Sequence, residues 1–400
     1  MLGLLAGLVG GVLLAQWIPL GLVPGLGRST GPDLGLLAQA WRVIDRAYVD
    51  RSALGSRRLT YGALAGMVNA LGDTGHTVFL TPEMVREERI VAQGRLAGIG
   101  AEMEMRSGEV VVVAPFDGSP AQVAGLRSGD VIVKVDGKSV AGLSLREVVS
   151  RIRGPVETGL TLTVRDPRTE ETRKLSLMRA EVALRSVTWH LLPEGAIAHL
   201  RIASFSRGTS NELGQALKAM GQAGASGLVL DLRNDPGGLL DEAVGVASQF
   251  LENGSVLQVK DAQGRVHAVP TQKGLPTCLL PMVVLVNAGT ASAAEIVSGA
   301  LQDAGRAALV GETTFGTGTV LQEFRLSDGS ALMVAVEEWL TPRGRTIWHK
   351  GIAPDVAVPL PSHVPPLVPE QESTLTKPQL QASRDDQLLR GLGLLASRAR

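Results

Sequence analysis

The residues best suited to chemistry lie at 287–305, "NAGTASAAEIVSGALQDAG". Small residues lead into Ser292, and Ile296, Ala300 and Ala304 then recur at helical spacing. Ser292 and Glu295 fit a capping box, in which each side chain bonds a free N–H at the helix start. The same position suits a nucleophile, because a serine at a helix N-terminus feels the positive end of the helix dipole. The Ala293 N–H could hold a developing oxyanion. A second donor could come from Gly237-Gly238 in "NDPGG", where the missing Cβ lets backbone N–H groups approach a substrate closely. Such donors are worth ~3 kcal/mol each in acyl transfer. These residues permit both a cap and an acyl-transfer centre.

Other chemistries lack their motifs. The histidines at 76, 190, 199, 267, 349 and 363 are scattered, with no His-x-x-x-His pair, so neither a metal site nor a cofactor is expected. There is no Gly-x-x-x-x-Gly-Lys loop. Lys plus Arg and Asp plus Glu number 39 each, and a neutral chain without a basic cluster argues against nucleic acid as a partner. Aromatic residues, at 3%, offer few stacking platforms. The single cysteine, Cys278, forms no intrachain disulfide and reads as a small buried hydrophobe.

Several elements must hold these residues in place. From about 170 the chain alternates strand and helix: "AIAHLRIASFS", a helix capped by Thr209 and Glu212, "GLVLDLR", "DEAVGVASQFLENG", "LPMVVLVN", the helix after Ser292, then "RAALVGE". That order predicts a parallel sheet buried on both faces, with a site in the loops at its strand ends. A hairpin turned at Ser327-Asp328-Gly329 follows. Residues 94–167 have another texture. They give a strand "EVVVVAP", two strand pieces about Asp136-Gly137, and a helix boxed by Ser144 and Glu147. Residues 33–92 read as helical, with Leu37, Trp41, Ile44 and Tyr48 on one face that needs a cover, so self-association is expected. Residues 358–400 read as a proline-rich extended tail with a short final helix. No charged side chain precedes Arg28, and ~20 apolar residues span a bilayer. Residues 1–25 therefore read as a membrane anchor or uncleaved signal, which places the rest outside the cytoplasm, in the cell envelope.

Two family resemblances follow. "GSPAQVAGLRSGDVIVKVDGKSV" resembles a PDZ domain, a module that binds a chain's C-terminus as an added strand. By resemblance its carboxylate loop is Gly98, Ile99 and Gly100. "LVLDLRNDPGG", "VNAGTASAAEIVSGALQDAGRAALVGETTFGTGTV" and "GIAPDV" resemble the carboxyl-terminal processing proteases, serine endopeptidases with an inserted PDZ domain. The likeness covers about 33–357. It implies a crotonase-like α/β parallel-sheet catalytic domain at 170–357, the PDZ insert at 94–167 and an N-terminal helical segment at 33–92. It also implies protein substrates with exposed C-termini, and Ser292 as nucleophile.

The family's lysine base falls on Thr317, and its glutamine falls on Leu321, beside Gln322. The second asparagine before Pro-Gly-Gly is replaced by Asp235. Threonine is no base at neutral pH, and a base is worth ~10²–10⁴-fold. The sequence therefore leaves three expectations. His349 or Lys350 supplies the base, Thr317 positions a water or the substrate for slow turnover, or the chain is a pseudoprotease that scaffolds peptides.

Overall fold

The computed structural model describes residues 12–13, 33–72 and 77–398, except for 107, 116–118, 128–129, 144, 167–168, 184, 194–195, 362–363, 365 and 373–374. Almost all of the 1–25 segment, His76, His363 and Ser144 lie outside the described residues. No helix among the described residues is long and apolar enough to cross a membrane.

The central sheet is built from the apolar runs. Ile197–Ile202, Gly227–Asp231, Met282–Val286, Ala308–Gly311 and Val356–Ala357 run parallel in that spatial order, and Val187–Leu191 adds an antiparallel edge. Every residue of Gly227–Asp231 and Met282–Val286 is buried, as continuous apolar strands demand. Alternate residues face opposite layers. Leu228, Leu230 and Val284 pack with Leu213, Val244, Val297 and Leu301 of the helices Thr209–Gln222, Leu240–Ser248 and Ala293–Asp303.

The opposite face corrects the expectation of an extended tail. Val229, Val283, Leu285 and Val310 pack against Leu380, Leu388, Leu392 and Leu395, most of them on the C-terminal helix Asp386–Arg398. A fully buried leucine contributes ~1.5–3 kcal/mol, enough to fold the tail back onto the sheet. Buried charges lock it there. Arg233 bridges Asp231 and Asp385, while His199 bonds Asp231 at 3.2 Å and Glu372 at 2.8 Å. Thr209 does not cap its helix either. The N-cap is Gly208 at φ 98°, and the Glu242 carboxylate accepts from the Gly208 and Ser210 N–H groups. Glu212 accepts instead from Ser186 and Val187, tying down the edge strand.

A second sheet joins the hairpin Thr319–Arg325 and Ala331–Leu340 to Ser255–Asp261 and Val266–Pro270, with Val78–Leu80 added beside Ala331–Leu340. The inserted unit has its own core, including Ile99, Val112, Ile132, Val148 and Leu162. Its sheet runs Ala101–Arg106, Glu109–Pro115, Val131–Val135, Gly159–Arg165, Thr172–Met178, so Ala101–Arg106 is an edge strand. The chain enters and leaves this unit side by side, because Arg95–Gly98 pairs antiparallel with Ala180–Ala183. The helix Leu34–Ala47 buries no residue, leaving Leu37, Trp41 and Ile44 exposed.

Candidate active site

Ser292 ends the loop after Met282–Val286 and is the N-cap of Ala293–Asp303. Its backbone sits at φ 52°, ψ −117°, a conformation that costs a residue with a Cβ about 1–3 kcal/mol. The capping pair with Glu295 is in place, but only the Glu295 half closes as a hydrogen bond: Glu295 Oε2 accepts from the Ser292 N–H at 3.0 Å. The Ser292 Oγ is buried and has no partner.

Glu295 does more than cap. Its Oε1 accepts from the Thr314 hydroxyl and from the Gly316 N–H at 2.8 Å, and its Oε2 accepts from the Thr317 N–H at 2.9 Å. One carboxylate thus fastens the start of the Ser292 helix to the loop 314–317. Burial raises this carboxyl above its ordinary range, and the four donors offset part of that rise. The sequence showed Glu295 only as a cap, since its other partners lie some twenty residues further along the chain.

Two asparagines align the loops that flank Ser292. Asn287 Oδ1 accepts from the Asn234 N–H at 2.9 Å, and Asn287 Nδ2 donates to Asn234 Oδ1 at 2.9 Å. Thr290 adds a third tie. Its hydroxyl donates to the Leu232 carbonyl, and its own carbonyl accepts from the Phe315 N–H. The Gly237-Gly238 loop is then pressed onto Ser292. A Cβ on Gly237 would stand 2.6 Å from Ser292 Cβ and 2.7 Å from the Ala293 nitrogen, so only glycine fits. Gly238 is held against Phe205, whose carbonyl oxygen would lie 2.4 Å from an added Cβ.

One expectation is corrected here. The Gly237 N–H does not face an empty hole, because it donates to Asp235 Oδ1 at 2.8 Å. Ser292 does not face solvent, since it is 0% exposed. The close approach that was to serve an oxyanion also closes the site. With Ser292 wholly buried, a substrate carbonyl cannot reach it in this conformation.

The comparisons with known proteins can now be set beside this geometry. A peptidase family S41 model matches residues 196–358, and a PDZ domain model matches residues 109–166. A carboxyl-terminal-processing protease of Synechocystis sp. is 35% identical over 347 residues, covering 82% of this chain and 81% of its own. The chain belongs to the carboxyl-terminal processing protease family. A probable CtpA-like serine protease of Staphylococcus aureus is 36% identical over 344 residues, covering 85% of this chain and 68% of that protein. Among solved structures, a photosystem II D1 C-terminal processing protease is 35% identical, with a TM-score of 0.50, over 82% of this chain and 94% of that one. The α/β fold with an inserted PDZ domain is that of the family.

Within this family member, Thr317 is wholly buried, and its hydroxyl has no partner. Leu321 turns away into a cluster with Leu80, Val85 and Met333, and Gln322 is half-buried opposite Val334 along the hairpin. His349 and Lys350 are exposed on a turn packed behind the 314–318 loop, where the His349 N–H donates to the Gly316 carbonyl. His349 stacks on Trp348. None of these side chains reaches the Ser292 or Thr317 hydroxyl. The structure therefore corrects the choice of His349 or Lys350 as base for this closed state. A lysine base would have to be buried for its proton affinity to fall.

In the PDZ unit, Gly98 pairs with Ala180, the Ile99 carbonyl accepts from the Ala121 N–H, and Gly100 turns at φ 71° into the edge strand. No cluster of metal-ligating side chains occurs among the described residues.

Proposed function

We infer that this chain is a serine endopeptidase that takes the C-terminal tails of exported proteins on its PDZ unit and cuts them with Ser292 as nucleophile. One observation carries the reading: Ser292 is a serine in a strained positive-φ turn at a helix N-terminus, with the Gly237-Gly238 loop packed directly on it. Ala293 and Gly238 N–H groups, with Gly237 once released, are the oxyanion donors in this reading. Thr317 lines the same centre. The open edge Ala101–Arg106, entered through Gly98, Ile99 and Gly100, suits an added peptide strand. The apolar 1–25 segment supports an exported, membrane-tethered chain in the cell envelope, and the bare face of Leu34–Ala47 supports self-association.

A fluorophosphonate probe tests the reading on the full chain. Covalent labelling mapped to Ser292 and lost in Ser292→Ala is expected, together with cleavage of an unstructured protein bearing a free C-terminus. Labelling that never maps to Ser292, under conditions where the chain still binds C-terminal peptides, refutes it.

A further inference from the structure

Two carboxyl groups are buried beside Ser292, and they differ in their spare capacity. Glu295 accepts two hydrogen bonds on each oxygen, from Thr314, Gly316, Ser292 and Thr317. A carboxylate has about four acceptor sites, so Glu295 has none left to receive a proton. Asp235 uses one oxygen only. Its Oδ1 accepts from the Gly237 N–H, while its Oδ2 is buried and bonded to nothing. Asp235 and Ser292 also sit on loops that touch. The Ala291 N–H donates to the Asp235 carbonyl at 2.9 Å, and Gly237 packs directly on Ser292 Cβ. Asp235 Oδ2, Ser292 Oγ and Thr317 Oγ1 are all buried polar atoms without partners.

The geometry points to Asp235 as the general base for Ser292, in place of the lysine absent from position 317. This rests on the reading of Ser292 as nucleophile. Asp235 Oδ2 takes the Ser292 hydroxyl proton as Oγ bonds the scissile carbonyl carbon and the carbonyl electron pair moves onto oxygen. The carbonyl re-forms, the C–N bond breaks, and the Asp235 acid gives its proton to the leaving nitrogen. Water then enters. Asp235 takes one proton from it, the remaining hydroxide bonds the acyl carbon, and Ser292 Oγ leaves carrying that proton. One water is consumed, and both side chains return to their starting states.

The two oxygens do not bond each other in the closed site. Ser292 must be uncovered to act, and catalytic hydrogen bonds often tighten only around a substrate. The surroundings suit the role. Burial holds the Asp235 carboxyl well above the usual carboxylate range. The Gly237 N–H and the charge of Arg201 oppose this, and the charge of Asp231 adds to it. Arg233, which pairs with Asp231, and Glu295 on the helix side are further charged groups around the centre. A carboxylate that binds its proton more tightly is a stronger base.

The test is the pH dependence of fluorophosphonate labelling at Ser292 in the full chain. Wild type should label at a rate that rises through one ionisation well above the ordinary aspartate value of about 3.9. Asp235→Asn keeps the Oδ1 acceptor for Gly237, so it preserves the turn, and thermal unfolding checks that it folds. Its labelling should fall about 10²–10⁴-fold and lose the ionisation. If Asp235→Asn labels at the wild-type rate with the wild-type pH profile, Asp235 is only a turn former. The proposal then fails, while Ser292 stands as nucleophile. If wild type never labels at Ser292, both readings fall.

Discussion

Ser292 holds a backbone conformation that glycine would take at no cost. At φ 52° its Cβ is crowded by its own chain, and the contacts of Glu295 and Gly237 keep it there. Ser292→Gly and Ser292→Ala should both abolish labelling. Only the glycine variant relieves the strain, so it should be about 1 kcal/mol more stable than the alanine variant in denaturant unfolding. Equal stabilities would mean that the turn stores nothing. At this scale the sequence was half legible. Ser292, Glu295 and the two glycines stood out by type and spacing. Their partners did not, because Thr314, Gly316 and Thr317 meet Glu295 only after the loop following Ala308–Gly311 has folded across the helix. Nor could spacing show that Gly237 comes so close as to cover the serine it was expected to serve.

Among the elements, the parallel strands were readable because burial on both faces needs continuous apolar runs, and Gly227–Asp231 and Met282–Val286 have them. What covers the second face was not readable. Asp386–Arg398 looks like any short amphipathic helix, and the prolines before it suggested a loose tail. The cover is specified by long-range matches, Arg233 with Asp385 and Val283 with Leu388 in one cluster, which no local pattern displays. Leu388 is wholly buried, so Leu388→Ala should cost about 2–5 kcal/mol, measured by urea unfolding. A loss under about 0.5 kcal/mol would show that the helix is not part of the fold's core.

For the molecule as a whole, pH is the sharper probe. Burial alone would lower the affinity of His199 for its second proton. The Asp231 and Glu372 carboxylates outweigh it and push the imidazole up to about 9 from an ordinary 6.5. A folded-state value above the unfolded one stabilises fully below about 6.5, and that contribution is lost as pH rises through about 9. The melting temperature should therefore decline across that window, and a His199→Gln chain should begin lower and lack the same slope. A flat wild-type profile would mean that the histidine stays neutral. The domain order was legible at this scale because each unit has its own texture. The clamp between the sheet and the chain's last forty residues was not.

The paired asparagines carry one further consequence. Lifting the glycine loop off the serine loop breaks the Asn287 carbonyl contact to the Asn234 N–H, the Asn287 amide contact to Asn234, and the Ala291 contact to Asp235 together. While all three hold, the two loops stay together and Ser292 stays shut away from every other molecule.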